Sequence, residues 1–278
     1  MNKFSSAQTV KAPSLTGRAG GESITIIKVG GAVVENPATL STLLDEFVKI
    51  DGPKVLVHGG GRTATQLASR LGIESKMVGG RRITDAEMLN VVTMVYGGLV
   101  NKNIVAQLQA RGVNALGLTG ADLNIVHAHR RPITPEGVDF GFVGDIDGAD
   151  GECLYRLLQM GVTPVIAPLT HDGQGNMLNI NADTMAQTVA TALSALDSQQ
   201  SVSLTYCFEL PGVMRDASDA TSLIKEIDEP LFKQLVNDGI VQGGMIPKLE
   251  NAFDCIHRGV SRVVITRFDS LGGGTVIV

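Results

Sequence analysis

Two short apolar runs that each end in a glycine loop constrain the fold more than any other feature of this chain. The first covers residues 24–29 and leads into Gly30 and Gly31; the second covers residues 54–58 and leads into residues 59–61, all glycine. An apolar run that stops at glycine is typical of a buried strand followed by a sharp bend. Glycine leaves backbone N–H groups open to an anion. Two such loops at the ends of neighbouring parallel strands would therefore form one anion cradle.

Lys28 adds a positive charge to the first loop. Because this lysine precedes its glycines, the loop differs from the nucleotide-binding P-loop, in which the lysine follows the last glycine. The three consecutive glycines of the second loop do not match the GxGxxG pattern either. Either loop alone could be a tight turn between a strand and a helix. The pair, with Lys28, indicates phosphate chemistry.

A third motif lies in residues 179–183, which read Asn-Ile-Asn-Ala-Asp. Asn179 and Asn181 alternate along an extended segment, which predicts that both amides face one side. Asp183 falls in the first turn of the helix that follows. There it could complement the helix dipole, or it could hold a catalytic lysine in position.

Two basic motifs complete the set. Lys248 follows Gly243 and Gly244 and lies in the first turn of a predicted helix, where a cation is unfavourable. It should therefore turn to solvent or meet an anion such as a transferring phosphoryl group. Arg81 and Arg82 follow another glycine pair, and arginine binds carboxylates through two hydrogen bonds. Adjacent residues of an extended loop point opposite ways, so we expect one arginine in solvent and Arg82 on an acidic substrate.

Strand and helix patterns alternate from residue 24 onward, which predicts an α/β fold with a mainly parallel sheet. The longest helical stretch covers residues 85–110, and a glycine pair at 97 and 98 should kink it or bring another helix close. Residues 122–146 have the period of a hairpin. Residues 1–22 show no apolar period, and we expect a flexible tail.

Composition excludes several classes of function. The chain has 278 residues and a net charge of −5, which argues against a nucleic-acid or membrane partner. No apolar run approaches the ~20 residues that a membrane span needs. The three cysteines are scattered without metal-ligand spacing, so we expect a reduced, cytoplasmic protein with no metal site of its own.

Taken in order, the motifs resemble those of the amino acid kinase family. They are the loop after residue 28, the glycines after residue 58, residues 80–84, residues 177–183 and residues 244–248. The resemblance implies a three-layer sandwich with a mainly parallel central sheet flanked by helices. It also implies an N-terminal lobe, residues 23–197, that binds an acylglutamate and carries a dimer contact. Residues 198–278 would form the nucleotide-binding lobe.

The resemblance also implies a role for each motif residue. Lys28 and Lys248 match the lysines that stabilise the transferred phosphoryl group, and Asp183 matches the acid that orients them. Two sets of contacts follow: Gly30, Gly31 and Gly60 for the phosphoryl group, and Gly60, Gly61, Arg82 and Asn179 for the acylglutamate.

The implied reaction is in-line transfer from ATP to the γ-carboxylate of an N-acylglutamate, as in arginine biosynthesis. Mg²⁺ should arrive bound to the nucleotide phosphates, because it prefers few protein ligands. Acetyl is the acyl group that the family implies; a succinyl group would need another cation, which Arg130 or Arg131 could supply. Two alternatives stay open: a family member with a carbamate, aspartate or nucleotide acceptor, and a nucleotide sensor without transfer.

The chain departs from the family pattern in three places. Residues 249–278 are shortened, with residues 267–274 in place of a longer connection. Residues 204–213 replace the usual Asp-Val-x-Gly turn of the nucleotide lobe with a longer segment. Residues 1–22 lack the amphipathic helix with which arginine-inhibited members form hexamers. We therefore expect a homodimer without arginine feedback, joined through the long helix that starts near Asp85.

Overall fold

The computed structural model of the protein describes residues 23–196, 201–216 and 219–278. The predicted tail, residues 1–22, and the predicted lobe boundary near residues 197–200 lie outside the described residues.

The secondary structure alternates as the sequence predicts. The strands are β1 (Ile24–Val29), β2 (Lys54–His58), β3 (Met77–Val78), β4 (Arg81–Arg82), β5 (Ala115–Leu118), β6 (Val126–Arg130), β7 (Gly144–Ala149), β8 (Thr163–Ile166), β9 (Leu169–His171), β10 (Met177–Asn179), β11 (Val202–Phe208), β12 (Glu226–Ile227), β13 (Arg262–Arg267) and β14 (Thr275–Ile277). The helices are α1 (Gly31–Glu35), α2 (Pro37–Val48), α3 (Gly61–Arg70), α4 (Ala86–Val92), α5 (Asn101–Ala110), α6 (Gly151–Gln159), α7 (Ala182–Ser194), α8 (Glu229–Asn237) and α9 (Met245–His257).

One eight-stranded sheet, ordered β12-β14-β13-β11-β1-β2-β8-β5, forms the centre of the molecule. Every neighbouring pair in it is parallel except β13 and β14. Strands that precede residue 197 make one half of the sheet, and strands that follow residue 200 make the other. Smaller sheets of four strands (β10-β9-β6-β7) and two strands (β3-β4) flank it.

Helices cover both faces of this sheet. Side chains of α6, α7, α8 and α9 form one buried core with the first face, whereas those of α1 to α5 form the second core on the other face. A sheet of parallel strands needs both of its faces covered, and helices cover both faces of this sheet. The predicted three-layer α/β fold is confirmed.

Apart from α5, which continues a preceding helical segment, the helix starts fall into two groups. Five helices begin at an Asn or Asp whose side chain accepts a hydrogen bond from the first turn: α2, α4, α6, α7 and α8. Such caps satisfy amides that have no partner within the helix. By contrast α1, α3 and α9 begin after Gly30, Gly60 and Gly244, with no side-chain cap. At the glycine motifs the residue before the helix therefore caps none of the first-turn amides, although in α3 the Thr63 amide donates to Oε1 of Glu35 at 2.7 Å.

The predicted helix over residues 85–110 is present, but it is not a regular α-helix. Residues Thr93–Val100, between α4 and α5, form a π-helical segment that contains both glycines. A side chain at Gly97 would face Leu169 and Thr119 rather than another helix. Of the two expected outcomes, a kink or a close helix contact, the described chain shows an irregularity of the helix: a widened turn, a feature often found at functional sites.

The predicted hairpin is present as the antiparallel pair of β6 and β7. Several short elements had no clear sequence signal: α1, α8 and the β3–β4 hairpin. Within the described residues, no helix has both the length and the apolar character to cross a membrane.

Gly151, the first residue of α6, sets the distance between α6 and α7. A Cβ atom there would lie 2.4 Å from the backbone oxygen of Ala192 in α7. We expect Gly151→Ala to lower the free energy of unfolding by about 1–3 kcal/mol, the usual range for overpacking. Gly148→Ala is the matched control, because a Cβ there has no neighbour within 4 Å. Urea unfolding measures both, and equal effects would refute the packing account.

Candidate active site

The two glycine loops lie side by side, as the sequence predicts. Strands β1 and β2 are parallel neighbours, and Val29 is in register with His58. A Cβ atom at Gly31 would lie 3.4 Å from the backbone nitrogens of both Gly60 and Gly61. Gly31 is the first residue of α1 and Gly61 is the first residue of α3, so their N–H groups have no acceptor within the helix. The loops thus present open N–H groups at one point, which suits an anion.

Lys28 and Asp183 form an ion pair beside these loops. The Lys28 side chain is 8% exposed, and its Nζ lies 2.7 Å from Oδ1 of Asp183, whose side chain is 32% exposed. A buried ammonium without a partner would be costly. Asp183 also lies in the first turn of α7, so it complements the helix dipole and holds the lysine at once. The two alternatives considered for Asp183 are both realised.

Lys248 reaches the same place from α9. Its Nζ lies 4.1 Å from the centre of the Phe208 ring, and the Nζ of Lys28 lies 5.5 Å from that centre. The sequence predicts that Lys248 either turns to solvent or meets an anion. Its contact with an aromatic ring is neither of these. The ring of an aromatic residue has a negative face that attracts cations. Two ammonium groups from distant parts of the chain therefore share one ring.

Burial lowers the pKa of Lys248, and the charge of Lys28 lowers it further, while Asp183 acts in the opposite sense. This is the direction expected where two ammonium groups approach each other out of bulk water. The site is therefore electropositive before any ligand arrives.

A first cavity, of about 230 Å³, lies between the second glycine loop and α7. Its walls carry three guanidinium groups, from Arg81, Arg82 and Arg131, and one carboxylate, from Asp145. We name it the acceptor cavity, because its positive walls suit a small acidic molecule.

A second cavity, of about 560 Å³, lies between α1 and α9. Lys248 and Phe208 line it, together with Gly30 and Gly31. We name it the nucleotide cavity, after the ligand that the family resemblance implies for the C-terminal half of the chain. Gly61, Met77 and Arg82 line both cavities, so the two meet beside the glycine loops.

Arg82 occupies the position that the sequence predicts for a carboxylate ligand. Its Nη2 donates to the Gly61 carbonyl oxygen at 2.9 Å and to the Thr65 hydroxyl at 2.8 Å. Arg81 is exposed and Arg82 is partly buried, as alternation along β4 requires. Both line the acceptor cavity.

Asn179 and Asn181 play different parts. The Asn179 amide is buried and donates to the Thr84 hydroxyl at 3.0 Å. The Asn181 side chain instead accepts from the amides of Asp183 and Thr184 and caps α7. Both residues line the acceptor cavity, but the capping role of Asn181 was not predicted.

Sequence reasoning missed three side chains that support the site. Tyr96, in the π-helical segment, packs against Gly60: a Cβ atom there would lie 3.0 Å from the tyrosine ring. Asn101 donates to the backbone oxygen of Val165 and to Nε2 of His58. Phe208, described above, is the third. The glycine pair inside the helix was the one available signal, since it marks the irregular turn that carries Tyr96.

His58 is fully buried next to the second glycine loop. Its Nδ1 lies 2.7 Å from the Gly59 oxygen, and its Nε2 lies 3.1 Å from the Asn101 amide nitrogen. A carbonyl oxygen only accepts, which assigns the proton to Nδ1 of a neutral ring. Burial lowers the pKa of His58 to about 4. The local packing role considered for His58 is confirmed, and a general base is not required of it.

Comparisons with known proteins agree with the motif pattern. A sequence model described as the amino acid kinase family matches residues 23–267. A Bacteroides thetaiotaomicron protein named acetylglutamate kinase is 64% identical over 245 residues, 88% of this chain and 93% of that one. A Bacteroides fragilis protein of the same name is 60% identical over 258 residues, 92% and 97% of the two chains. The solved structure of smu.665 from Streptococcus mutans is 28% identical, covers 91% of this chain and 98% of its own, and has a TM-score of 0.72.

Protonation of His58 should destabilise the fold in acid. Since burial depresses the pKa of His58 from 6.5 to about 4, the unfolded chain takes up a proton that the folded chain refuses. Stability should therefore fall as pH drops through this interval, by about 3 kcal/mol between neutral pH and about pH 4. Over the same pH interval, the free energy of unfolding of His58→Gln, measured by urea unfolding, should fall by about 3 kcal/mol less than that of the wild type. The exposed His127, as His127→Gln, is the control and should behave like the wild type.

Proposed function

The chain belongs to the amino acid kinase family, and from that premise we propose that it transfers the γ-phosphoryl group of ATP to the side-chain carboxylate of N-acetyl-L-glutamate. Relatives 60–64% identical over most of their length are named acetylglutamate kinase, which supports this activity and a place in arginine biosynthesis. The observation that carries the proposal is that two cavities meet at Gly61 and Arg82, while Lys248 and the Phe208 ring that it shares with Lys28 line the second cavity.

The reaction needs charge stabilisation more than proton transfer. A carboxylate oxygen of the acceptor forms a bond to the γ-phosphorus, and the bond from phosphorus to the β,γ-bridging oxygen breaks. The products are an acyl phosphate and ADP. The acceptor is already ionised at neutral pH, so no base has to remove a proton. The obstacle is repulsion between two anions, which fixed positive groups offset.

The described residues supply such groups on both sides of the junction. We propose that Lys28 and Lys248 stabilise the charge that develops on the transferred group. Asp183 keeps the Lys28 ammonium in place through its 2.7 Å contact. Gly30, Gly31 and Gly60 of the glycine loops would contact the phosphoryl oxygens. The Gly30 N–H donates to the Cys207 carbonyl oxygen at 3.4 Å, so Gly31 and Gly60 would supply the open amides.

The acceptor should bind in the cavity that the arginines line. There we propose that Arg82 binds a carboxylate of the acceptor and that Asn179, Gly60 and Gly61 contact the rest of it. Hydrogen bonds already fix the Arg82 guanidinium before a ligand arrives. Such preorganisation reduces the entropy that binding costs.

Magnesium fits this site as a companion of the nucleotide. Among the described residues, no group of three or more His, Cys, Asp or Glu side chains is placed to hold a metal ion. The nucleotide cavity has one carboxylate on its described walls, Glu209. Mg²⁺ commonly keeps several waters and binds through substrate phosphates. When bound, it would neutralise part of the phosphate charge, and the lysines would stabilise the negative charge that remains.

A second acceptor, N-succinyl-L-glutamate, is favoured by one observation. Arg131 lines the acceptor cavity, with a side chain 16% exposed, and could meet an extra carboxylate. Arg130 instead pairs with Asp139 outside that cavity. We favour the acetyl compound, because Asp145 already pairs with Arg131.

We also propose a homodimer. Met94 and Leu99 are exposed on the π-helical segment, so the long helix offers an apolar face to a second copy. The acceptor cavity draws all its described walls from residues 59–184, whereas residues of both halves of the chain line the nucleotide cavity, Gly31 from the first and Lys248 from the second. This supports an acceptor site within the N-terminal lobe and a nucleotide site to which the C-terminal lobe contributes. An ATP-dependent enzyme with three free cysteines suits the cytoplasm.

The acceptor is tested by measuring ADP release with each of four mixtures. ATP and Mg²⁺ are supplied with N-acetylglutamate, with N-succinylglutamate, with aspartate, or with no acceptor. We expect release with N-acetylglutamate well above that in every other mixture. A faster rate with N-succinylglutamate would reassign the acyl group. Release with aspartate alone would indicate a different family member, and ATP binding without release would indicate a sensor.

Lys28→Ala tests the proposed charge stabilisation. We expect turnover to fall at least about 100-fold, in line with the loss of one preorganised stabilising group. The protein should stay folded, because Asp183 is partly exposed and can be hydrated. Lys233→Ala is the control, since that lysine is 74% exposed on α8. Circular dichroism checks the fold, and near-normal turnover in a folded Lys28→Ala would exclude Lys28 from the chemistry.

A further inference from the structure

Phe208 lies under both ammonium groups of the site. Phe208 ends β11, and the distances from the centre of its ring to the Nζ atoms of Lys248 and Lys28 are 4.1 Å and 5.5 Å. Both fall within the ~6 Å over which a cation is attracted to an aromatic face. The ring also lines the nucleotide cavity.

The two lysines are unequally provided with negative partners. Lys28 has the carboxylate of Asp183 at 2.7 Å. Within the described part of the chain, no carboxylate oxygen lies within ion-pair distance of Lys248. Burial and the charge of Lys28 disfavour the Lys248 ammonium, whereas the Asp183 carboxylate favours it from beyond ion-pair distance. The direct contact that favours it is the ring, which adds to the longer-range effect of Asp183.

The position of the ring is fixed by the sheet. Lys28 is in register with Tyr206 across the parallel pair of β1 and β11. Side chains two residues apart share a face of a strand, so Phe208 follows Tyr206 on the side that bears Lys28. The two rings are stacked, with centres 6.2 Å apart and planes 11° apart. Tyr206 is buried, so it restrains the neighbouring ring.

We propose that Phe208 is a positioning residue for phosphoryl transfer, whose ring face holds the ammonium groups of Lys28 and Lys248 together at the end of the nucleotide cavity. This inference rests on the proposed function. The ring lets two like charges stay close in the absence of substrate, so that the positive site is preorganised rather than assembled by the nucleotide. Residues 204–213, the segment that departs from the family pattern, thus supply a contact to both lysines.

A fluorinated series tests the ring face without changing its shape. Phe208 is replaced by phenylalanine with one, two and three ring fluorines, which progressively weaken the negative face. We expect the logarithm of kcat to fall steadily along the series, and Phe208→Leu, with no aromatic face, to lose about 10- to 100-fold in kcat. Phe208→Tyr keeps the face and should restore most of the rate. KM for the acceptor should stay unchanged.

The matched control is Phe232→Leu. Phe232 pairs with Phe253 between α8 and α9, with ring centres 5.4 Å apart, and it lines neither cavity. Its substitution should leave kcat unchanged while lowering stability. A fall in kcat equal to that of Phe208→Leu would indicate that loosened packing of α9, not the ring face, controls the rate.

A second readout does not depend on catalysis. The pKa of Lys248 is measured by NMR titration of protein with labelled lysine ε-carbons, the Lys248 signal being assigned with Lys248→Arg. Loss of the ring face removes stabilisation of the ammonium, so the pKa of Lys248 should be lower in Phe208→Leu than in the wild type. An unchanged pKa together with a flat fluorinated series would overturn the inference. A rise in KM for ATP with kcat constant would also overturn it, because the ring would then be only a wall for the nucleotide.

The two proposals fail separately. If the wild-type protein releases no ADP with any acceptor, the proposed function is wrong, but the titration still decides whether Phe208 holds the lysine. If the wild type is active, but kcat is constant along the fluorinated series and the pKa of Lys248 is unchanged in Phe208→Leu, only the proposed role of Phe208 is wrong.

Discussion

The contact between the Lys28 ammonium and the Asp183 carboxylate is the constraint on which the rest of the site depends. Lys28 is the penultimate residue of the central strand β1 and is almost fully buried, so its charge needs a partner within reach. That partner stands on α7, which must therefore pack with its first turn at the carboxyl end of β1. Once α7 is placed, Asn179 and Asn181, which precede it, line the acceptor cavity. One ion pair thus places the proposed catalytic group and the proposed acceptor-binding segment together.

The distribution of helix caps supports the same site. An Asn or Asp cap uses the amides of the first turn for folding and leaves fewer of them for a ligand. The helices whose starts adjoin the two cavities, α1, α3 and α9, begin after glycine instead. α7 is the exception at the site, with Asn181 as its cap, and its contribution to the site is a carboxylate rather than amides. These helix starts thus lack an Asn or Asp cap where an anion is expected, although in α3 the Thr63 amide donates to the Glu35 carboxylate at 2.7 Å.

Much of this could be predicted from the sequence, because the signals were local. Glycines after apolar strands predicted the loops, and parallel strands predicted that the loops would meet. The partners of Lys28 and Lys248 were harder. Asp183 was a candidate because it opens a helix, but Phe208 gave no such sign, since its place under both lysines depends on the register of β11 against β1. The contact of Asn101 with His58 joins residues 43 apart in sequence, and it also depends on packing between elements. Spacing along the chain carries no information about either contact.

The positive group at the junction of the two cavities, the Arg82 guanidinium, is held in place by hydrogen bonds. Arg82 touches both cavities, and its guanidinium is bonded to the Gly61 oxygen and the Thr65 hydroxyl of α3. Any movement of the second glycine loop would therefore move the arginine with it. The buried ring of His58 and the ring of Tyr96 pack against that loop and restrict such movement. A site that must bring two anions together gains most from charges that need no rearrangement when the substrates arrive, and neutral, buried neighbours provide that rigidity without adding charge of their own.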